Sequence, residues 1–233
     1  MTWHDKVMWT EGMFLQPQHF QQQDRHAVRL LDARVGAAFG HGRGFSAWMV
    51  DEAALLQGKV ARVSATGVLP DGQPFAVPQR DPAPPALDVP ADARDELVVL
   101  ALALARPGVA ESDVEDATPS MPPRFHAADV DVADSHATSL RTAPLQVGRL
   151  NLRLLLARDA NEGFAHLGAM RIVERRADGR IVLDAGYVPP LLHLPASALL
   201  DGWLRELAGI VRQYVELGKQ LRKAGYQQLP CFF

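Results

Sequence analysis

The sequence predicts a mainly β protein, an antiparallel β-sandwich with an N-terminal arm and helix and a C-terminal helix. Short apolar segments separated by turn residues occupy residues 41–190, which favours antiparallel sheets over a parallel one. Two stretches with apolar residues at helical spacing flank this region, after Pro17 and over residues 198–223. We therefore expect one large domain with a helix at each end.

Residues 1–40 are predicted to form an apolar arm followed by a helix. Pro17 suits the first turn of a helix, and residues 18–35 continue without glycine or proline. Gly36 and Gly40 are candidate stops. Six residues of this region are candidates for binding a partner: Trp9, Met13, Phe14, Leu15, Pro17 and Phe20. They either pack beneath the sandwich of their own subunit or insert into another polypeptide as interface anchors.

The middle region, residues 41–190, reads as strands and turns. Strands are predicted over residues 59–66, 95–105 and 149–158, and a hairpin joins residues 170–174 to 181–183 through Asp178-Gly179. Residues 78–90 and 111–123 are rich in proline or acidic residues and are predicted to form surface loops.

The third region begins with a proline-rich connector over residues 191–197. A helix is predicted over residues 198–225, with Ser197 as its N-cap and Gly225 at its end. Its apolar residues recur by alternating steps of three and four, which is the heptad pattern of a helical bundle. The candidate trimer-interface residues are Leu200, Trp203, Leu207, Ile210 and Tyr214. The stripe either packs on the chain's own sandwich or lies between subunits. Residues 226–233 form an atypical tail.

Composition excludes several classes of function. The chain has 233 residues and a formal net charge of −3, and its Lys and Arg residues are scattered, so a nucleic-acid partner is not expected. The longest apolar run, residues 97–105, is too short to cross a bilayer, and no signal peptide is recognisable. We therefore expect a cytoplasmic protein without direct membrane insertion. The single cysteine, Cys231, excludes a disulfide within the chain.

No catalytic residue, cofactor site or metal site is predicted. The eight histidines form no HExxH motif, and neither a nucleophile elbow nor a phosphate-binding loop occurs. Asp129, Asp131 and Asp134 could be imagined as a metal cluster with His126 and His136. The alternation with Val130 and Val132 more simply places the acidic residues on the solvent side of a strand.

Two motifs carry a family resemblance. Residues 9–24, WTEGMFLQPQHFQQQD, closely resemble the N-terminal signature of the TssK (ImpJ/VasE) family, which reads W-x-E-G-M-F-L-x-P-Q-H-F-Q-Q-Q. Residues 187–194, YVPPLLHL, look like the family's connector between its N-terminal domain and its helical neck. The resemblance covers residues 1–210 in order and implies a type VI secretion baseplate subunit, of which this chain is the N-terminal half.

The resemblance implies an architecture and partners. The family is described as cytoplasmic trimers with a β-sandwich shoulder like that of phage receptor-binding proteins, a helical neck and a C-terminal head. The shoulder joins the TssF and TssG wedge, and the head docks onto the TssJ, TssL and TssM membrane complex. We expect residues 198–225 to be the first neck helix and the head to be absent from this chain, so docking on the membrane complex requires that missing head.

Two other classes remain open on the sequence. A trimeric phage-like module that binds a glycan or a receptor would share the sandwich and should show a groove lined by aromatic residues. A metal-dependent hydrolase would need clustered histidines. The resemblance favours the structural adaptor over both, with no catalysis and no cofactor.

Overall fold

The computed structural model describes residues 3–40, 42–61, 63–113, 122–136 and 141–223. The predicted tail over residues 226–233 lies outside these residues, as does most of the predicted loop over residues 111–123. The helices are α1 (Pro17–Ala38), α2 (Glu52–Leu55) and α3 (Ala198–Lys223), with 3-10 turns at Ala157–Asp159 and Leu194–Ala196. The strands are β1 (Gly44–Met49), β2 (Lys59–Val60), β3 (Ser64–Val68), β4 (Pro74–Val77), β5 (Leu87–Asp88), β6 (Arg94–Ala103), β7 (Phe125–Ala133), β8 (Thr142–Leu150), β9 (Arg153–Leu156), β10 (Phe164–Arg175) and β11 (Ile181–Leu183).

The mainly β, antiparallel architecture predicted from the sequence is confirmed. A three-stranded sheet in the order β1-β3-β4 and a four-stranded sheet in the order β11-β10-β6-β9 form the body of the molecule, and β2 pairs with β5. All of the named strand pairs are antiparallel. Strands β7 and β8 form a separate two-stranded sheet with a ladder of nine residue pairs, which we call the β-ribbon.

The core lies between the sheets, where both contribute apolar side chains. Phe45 of β1 and Phe75 of β4 meet edge to face, with ring centroids 5.8 Å apart. From β6, Val98, Leu100 and Leu102 join the same cluster and are fully buried. Val99 and Ala101 on the other side of β6 are also fully buried, so this strand is covered on both faces. This explains the continuous apolar run in its sequence.

Two predicted strands are each divided in the structure. Residues 59–66 do not form one strand, because β2 pairs with β5 whereas β3 belongs to the three-stranded sheet. Val60 and Val63 are three positions apart and would point to opposite faces of one continuous strand, but the division lets both side chains enter the core. Residues 149–158 are likewise divided between β8 and β9, since Asn151 interrupts them with a buried side chain that donates to the Pro123 carbonyl at 2.8 Å.

Helix α1 begins where the sequence predicts, but it does not end at Gly36, the first of the two predicted stops. The helix begins at Pro17, and the Gln16 backbone N–H donates to Nδ1 of His19 at 3.1 Å. Gly36 lies inside α1 and does not end it. The last turn closes where the Phe39 N–H donates to the Val35 carbonyl at 2.8 Å, just before Gly40.

A buried arginine fixes the root of the β-ribbon to the sandwich. Nη1 of Arg124 donates to the Ala103 carbonyl at 2.7 Å and lies 2.8 Å from Oδ2 of Asp71. Its Nη2 donates to Oε1 of Gln73 at 3.2 Å. The guanidinium therefore joins the end of β6 to the β3–β4 turn at the residue that precedes β7.

Replacing Arg124 with leucine should destabilise the chain, because the Asp71 carboxylate and the Ala103 carbonyl would lose a buried partner. We expect a loss of about 3 kcal/mol in the free energy of unfolding. Urea unfolding at a fixed protein concentration measures it. The matched control, Arg180→Leu at an exposed turn, should change the free energy by less than about 0.5 kcal/mol. Equal effects of the two substitutions would contradict a structural role for the Arg124 cluster.

Candidate interaction surfaces

The first three described residues are tied to α1 by hydrogen bonds. Nε2 of Gln22 donates to the Asp5 carbonyl at 2.7 Å, and Nδ1 of His26 lies 3.0 Å from the His4 carbonyl. The guanidinium of Arg25 lies over the Trp3 ring, 4.2 Å from its centroid. The arm therefore folds back along the first half of its own helix.

Four of the six candidate binding residues of the arm, Trp9, Met13, Phe14 and Leu15, lie on the loop that precedes α1, and the other two, Pro17 and Phe20, lie in its first turn. Trp9 packs beside Phe20 and His19, with ring centroids 6.3 and 6.2 Å apart. This small aromatic cluster stays open to solvent, since Trp9 is 49% and Phe20 54% exposed. Leu15 and Pro17 are exposed and Met13 is half-buried. Phe14 is 86% exposed and is the most uncovered apolar side chain of the set.

The candidate trimer-interface residues of α3, which we call the α3 seam, are also largely exposed. The Leu200 N–H lies 3.4 Å from Oγ of Ser197, in line with the predicted N-cap. Leu200 is half-buried near the 3-10 turn, but every residue from 202 to 217 is exposed. Exposed large apolar residues on α3 are Trp203, Leu204, Leu207, Ile210, Val211, Tyr214, Val215 and Leu217. Among the described residues, nothing covers this stripe.

Helix α1 presents a third apolar surface, only part of which the sequence indicated. Val28, Leu31, Val35 and Phe39 are between 48% and 68% exposed, and no residue of α1 is fully buried within the described part of the chain. Val28, Leu31 and Val35 lie within the helix predicted over residues 18–35, whereas Phe39 lies beyond it. An ion pair joins this helix to the turn before β1, with Nη2 of Arg43 3.3 Å from Oδ1 of Asp32.

The polar clusters in the described residues do not have the arrangement of a metal site. No group of three His, Cys, Asp or Glu residues in the described ranges is placed to hold a metal ion. Asp129 and Asp131 are exposed on β7, on the solvent side predicted for them. His126 instead contacts Asp113, with Nδ1 2.7 Å from Oδ2, and this contact holds the pKa of the Asp113 carboxyl below its usual range. The pair belongs to the root of the β-ribbon.

No helix in the described residues has both the length and the hydropathy needed to cross a bilayer.

Comparison with known proteins identifies the family. The family described as bacterial type VI secretion, VC_A0110, EvfL, ImpJ, VasE matches residues 19–228. The type VI secretion system baseplate component TssK1 of Pseudomonas aeruginosa PAO1 is 42% identical over 213 residues. That match covers 91% of this chain and 48% of TssK1.

Solved structures agree. A crystal structure of TssK superposes with a TM-score of 0.84 and 34% identity, covering 98% of this chain and 51% of that chain. A chain of a TssK–TssF–TssG baseplate subcomplex solved by cryo-electron microscopy superposes with a TM-score of 0.79 and 27% identity, covering 94% of this chain and 72% of that chain. The present chain thus spans about half the length of the curated relative it matches. It belongs to the TssK (ImpJ/VasE) family of bacterial type VI secretion.

Proposed function

We propose that this chain is a structural adaptor of the type VI secretion baseplate, acting in the cytoplasm as a homotrimer that binds a TssF and TssG wedge and performs no catalysis. A relative in the same family is present in a TssK–TssF–TssG subcomplex, which supports the wedge as partner. The observation that carries the proposal is the apolar surface that a single copy leaves uncovered.

Helix α3 supports the homotrimer. An amphipathic helix without a packed face is only marginally stable in water. The heptad spacing of Trp203, Leu207, Ile210 and Tyr214 lets three copies bury these side chains around one axis. Leu204 and Val211 widen the exposed stripe beyond that seam, which suits a helix in a bundle with additional neighbours.

Replacing both Leu207 and Ile210 with aspartate should convert the homotrimer into a monomer, since two carboxylates per chain cannot be buried at the axis. Analytical ultracentrifugation at tens of micromolar measures the mass. The control, Gly209→Asp, adds a carboxylate on the opposite side of α3, where a Cβ meets nothing within 4 Å. It should leave the mass unchanged. A wild-type chain that sediments as a monomer would contradict the proposed seam.

The arm supports wedge binding. Large aromatic side chains are enriched among the residues that dominate the energy of protein interfaces. Phe14 is nearly fully exposed, and the segment before it is tied back to α1 by the Trp9–Phe20 contact and by the hydrogen bonds to residues 3–5. Its removal therefore changes the surface without changing the packing of the chain.

Phe14→Asp should weaken binding to TssF and TssG by about 30-fold or more, as expected for loss of an aromatic hot spot worth about 2 kcal/mol. Titration of the purified wedge against immobilised protein measures the affinity, and far-UV circular dichroism checks the fold. The control is Gln18→Asp, another exposed position on the same segment. Undiminished wedge binding by Phe14→Asp would show that the arm is not the contact. Adding Phe20→Asp tests the rest of the aromatic cluster.

Two further parts of the proposal rest on the family resemblance and on the sequence pattern. The link to a TssJ, TssL and TssM membrane complex is assigned to a head that we place in the half of the relatives that this chain does not match. The boundaries at residues 40, 190, 197 and 225 are proposed as divisions between arm, shoulder, connector, neck helix and tail.

The glycan-binding alternative predicted a groove lined by aromatic residues, whereas the groove beside α1 has mostly aliphatic walls.

A further inference from the structure

The chain between β11 and α3, residues 184–197, passes over the four-stranded sheet before it reaches α3, and we call it the linking segment. Gly168 of β10 lies opposite Val99 of β6, on the face of the sheet turned away from the core between the sheets. A Cβ added to Gly168 would lie 2.3 Å from the hydroxyl oxygen of Tyr187, far inside van der Waals contact. The tyrosine hydroxyl therefore occupies the space that a side chain at position 168 would need.

The fit between Gly168 and Tyr187 depends on the hydroxyl alone. After it, the nearest atoms to the added Cβ are the two methyl carbons of Leu97, at 3.4 and 3.5 Å, so the ring carbons of Tyr187 lie no closer than 3.5 Å. Such distances are ordinary van der Waals contacts. The backbone of Gly168 is not in the left-handed region, so an alanine there would not be strained by its own φ. Glycine with tyrosine is therefore one complementary pair, and alanine with phenylalanine would be another.

A tight turn after β11 brings Tyr187 to this position. The Asp184 N–H donates to the Arg171 carbonyl of β10 at 2.9 Å. The Gly186 N–H donates to Oδ1 of Asp184 at 2.8 Å, and the Tyr187 N–H donates to the Asp184 carbonyl at 3.2 Å. The linking segment is thus attached to the four-stranded sheet at its start.

The linking segment is attached to the other large sheet a few residues later. Pro190 and Leu192 both form backbone hydrogen bonds with Phe45 of β1, the edge strand of the three-stranded sheet. The side chain of Leu191 packs against the core. A Cβ on Gly44 would come within 2.8 Å of the Pro190 carbonyl oxygen, so the two backbones are in close contact.

The two attachments are separated by a short and stiff span. Only Val188 and Pro189 lie between Tyr187 and Pro190. Each proline ring fixes its own φ near −65°, which leaves the span little freedom to bend. A displacement of Tyr187 is therefore transmitted to the hydrogen bonds with β1.

The second attachment continues into α3 through hydrogen-bonded turns. The Ala196 N–H donates to the His193 carbonyl at 3.1 Å, and the Ser197 N–H donates to the Leu194 carbonyl at 3.1 Å. The Asp201 N–H then donates to the Ser197 carbonyl at 2.9 Å. Residues 202–217 of α3 are all exposed, so within the described residues the linking segment is what joins this helix to the sandwich.

We propose that the linking segment holds α3 in one direction relative to the sandwich, and that the Tyr187–Gly168 contact is one of the two attachments this requires. A segment attached only at β1 could turn about that point, whereas a second attachment on β10 removes this freedom. Partners bound to the sandwich and to α3 then keep a fixed geometry to each other. The proposal deepens the adaptor role proposed above and rests on it only for that consequence, because the direction of α3 is a property of the single chain.

Amide hydrogen exchange of the full chain tests the contact at the Leu192 N–H. Gly168→Ala should make this amide exchange about ten times faster or more, because the methyl group expels the tyrosine hydroxyl and loosens the hydrogen bonds to β1. Adding Tyr187→Phe should restore the wild-type rate to within about a factor of two, since the phenylalanine ring leaves room for the methyl group. The control is Gly36→Ala on α1, where a Cβ meets nothing within 4 Å. It should leave the rate unchanged.

Exchange of the β6 amides checks that the sheet is intact in each variant. Tyr187→Ala removes the contact without altering the sheet and should accelerate exchange at Leu192 as Gly168→Ala does, so the test stands even if Gly168→Ala does not fold. Unchanged exchange in Tyr187→Ala, or no recovery when Tyr187→Phe is added to Gly168→Ala, would overturn the contact.

Spin-label distances test the direction of α3. Labels on Gln57→Cys, at an exposed turn of the sandwich, and on Arg212→Cys of α3 are placed in a Cys231→Ser chain that is diluted with unlabelled chain. The distance distribution should be narrow, should broaden about twofold or more with Gly168→Ala, and should narrow again with Tyr187→Phe added. A wild-type distribution as broad as that of Gly168→Ala overturns the proposal. Sedimentation separates the two levels of failure: monomers with a narrow distribution overturn only the homotrimer, and trimers with a broad one overturn only the fixed direction of α3.

Discussion

The pairing of β6 with β10 is the interaction on which the rest of the structure depends. The ladder runs from Phe164 opposite Ala103 to Glu174 opposite Arg94 and shifts once, between Gly168 and Met170. Near that shift, Tyr187 approaches Gly168 so closely that a Cβ there would lie 2.3 Å from the tyrosine hydroxyl, and burial raises the pKa of Tyr187. The two strands thus carry the core on one face and an anchored chain segment on the other.

The chain separates its apolar residues into two populations with different roles. One population fills a closed core between the sheets, where packing is specific and side chains are shielded from water. The other lies on α1, α3, the arm and the β-ribbon, and it is exposed in a single copy. Surfaces of this size on a folded protein mark interaction sites. The sandwich therefore serves as a rigid base that positions several elements with exposed apolar surfaces.

The sequence predicted correctly the elements whose signals lie within a short stretch of the chain. The start of α1, the course of α3 and the burial of β6 follow from caps, spacing and apolar runs, which depend on neighbouring residues. The sequence did not predict contacts and strand pairings that depend on residues far apart in the chain. Nothing near Arg124 indicates Asp71 as its partner, and the separation of β2 from β3 depends on the pairing with β5. Periodicity also showed which side of β7 is apolar, but not that this side lies open, because periodicity does not report what covers a face. The exposure of the arm and of α3 could be proposed from the sequence but not decided by it.

The connector before α3 has a consequence for how the family can vary. The Phe45 N–H donates to the Pro190 carbonyl and the Leu192 N–H donates to the Phe45 carbonyl, each at 2.8 Å, so this strand-like segment is clamped to β1. Only five residues separate Leu192 from the first residue of the helix. Each residue of an α-helix turns by about 100°. A single insertion in the first turn of α3, between the clamp and the apolar stripe, would rotate the phase of the stripe by more than a quarter turn, so the spacing between the two is coupled to the geometry of the whole assembly.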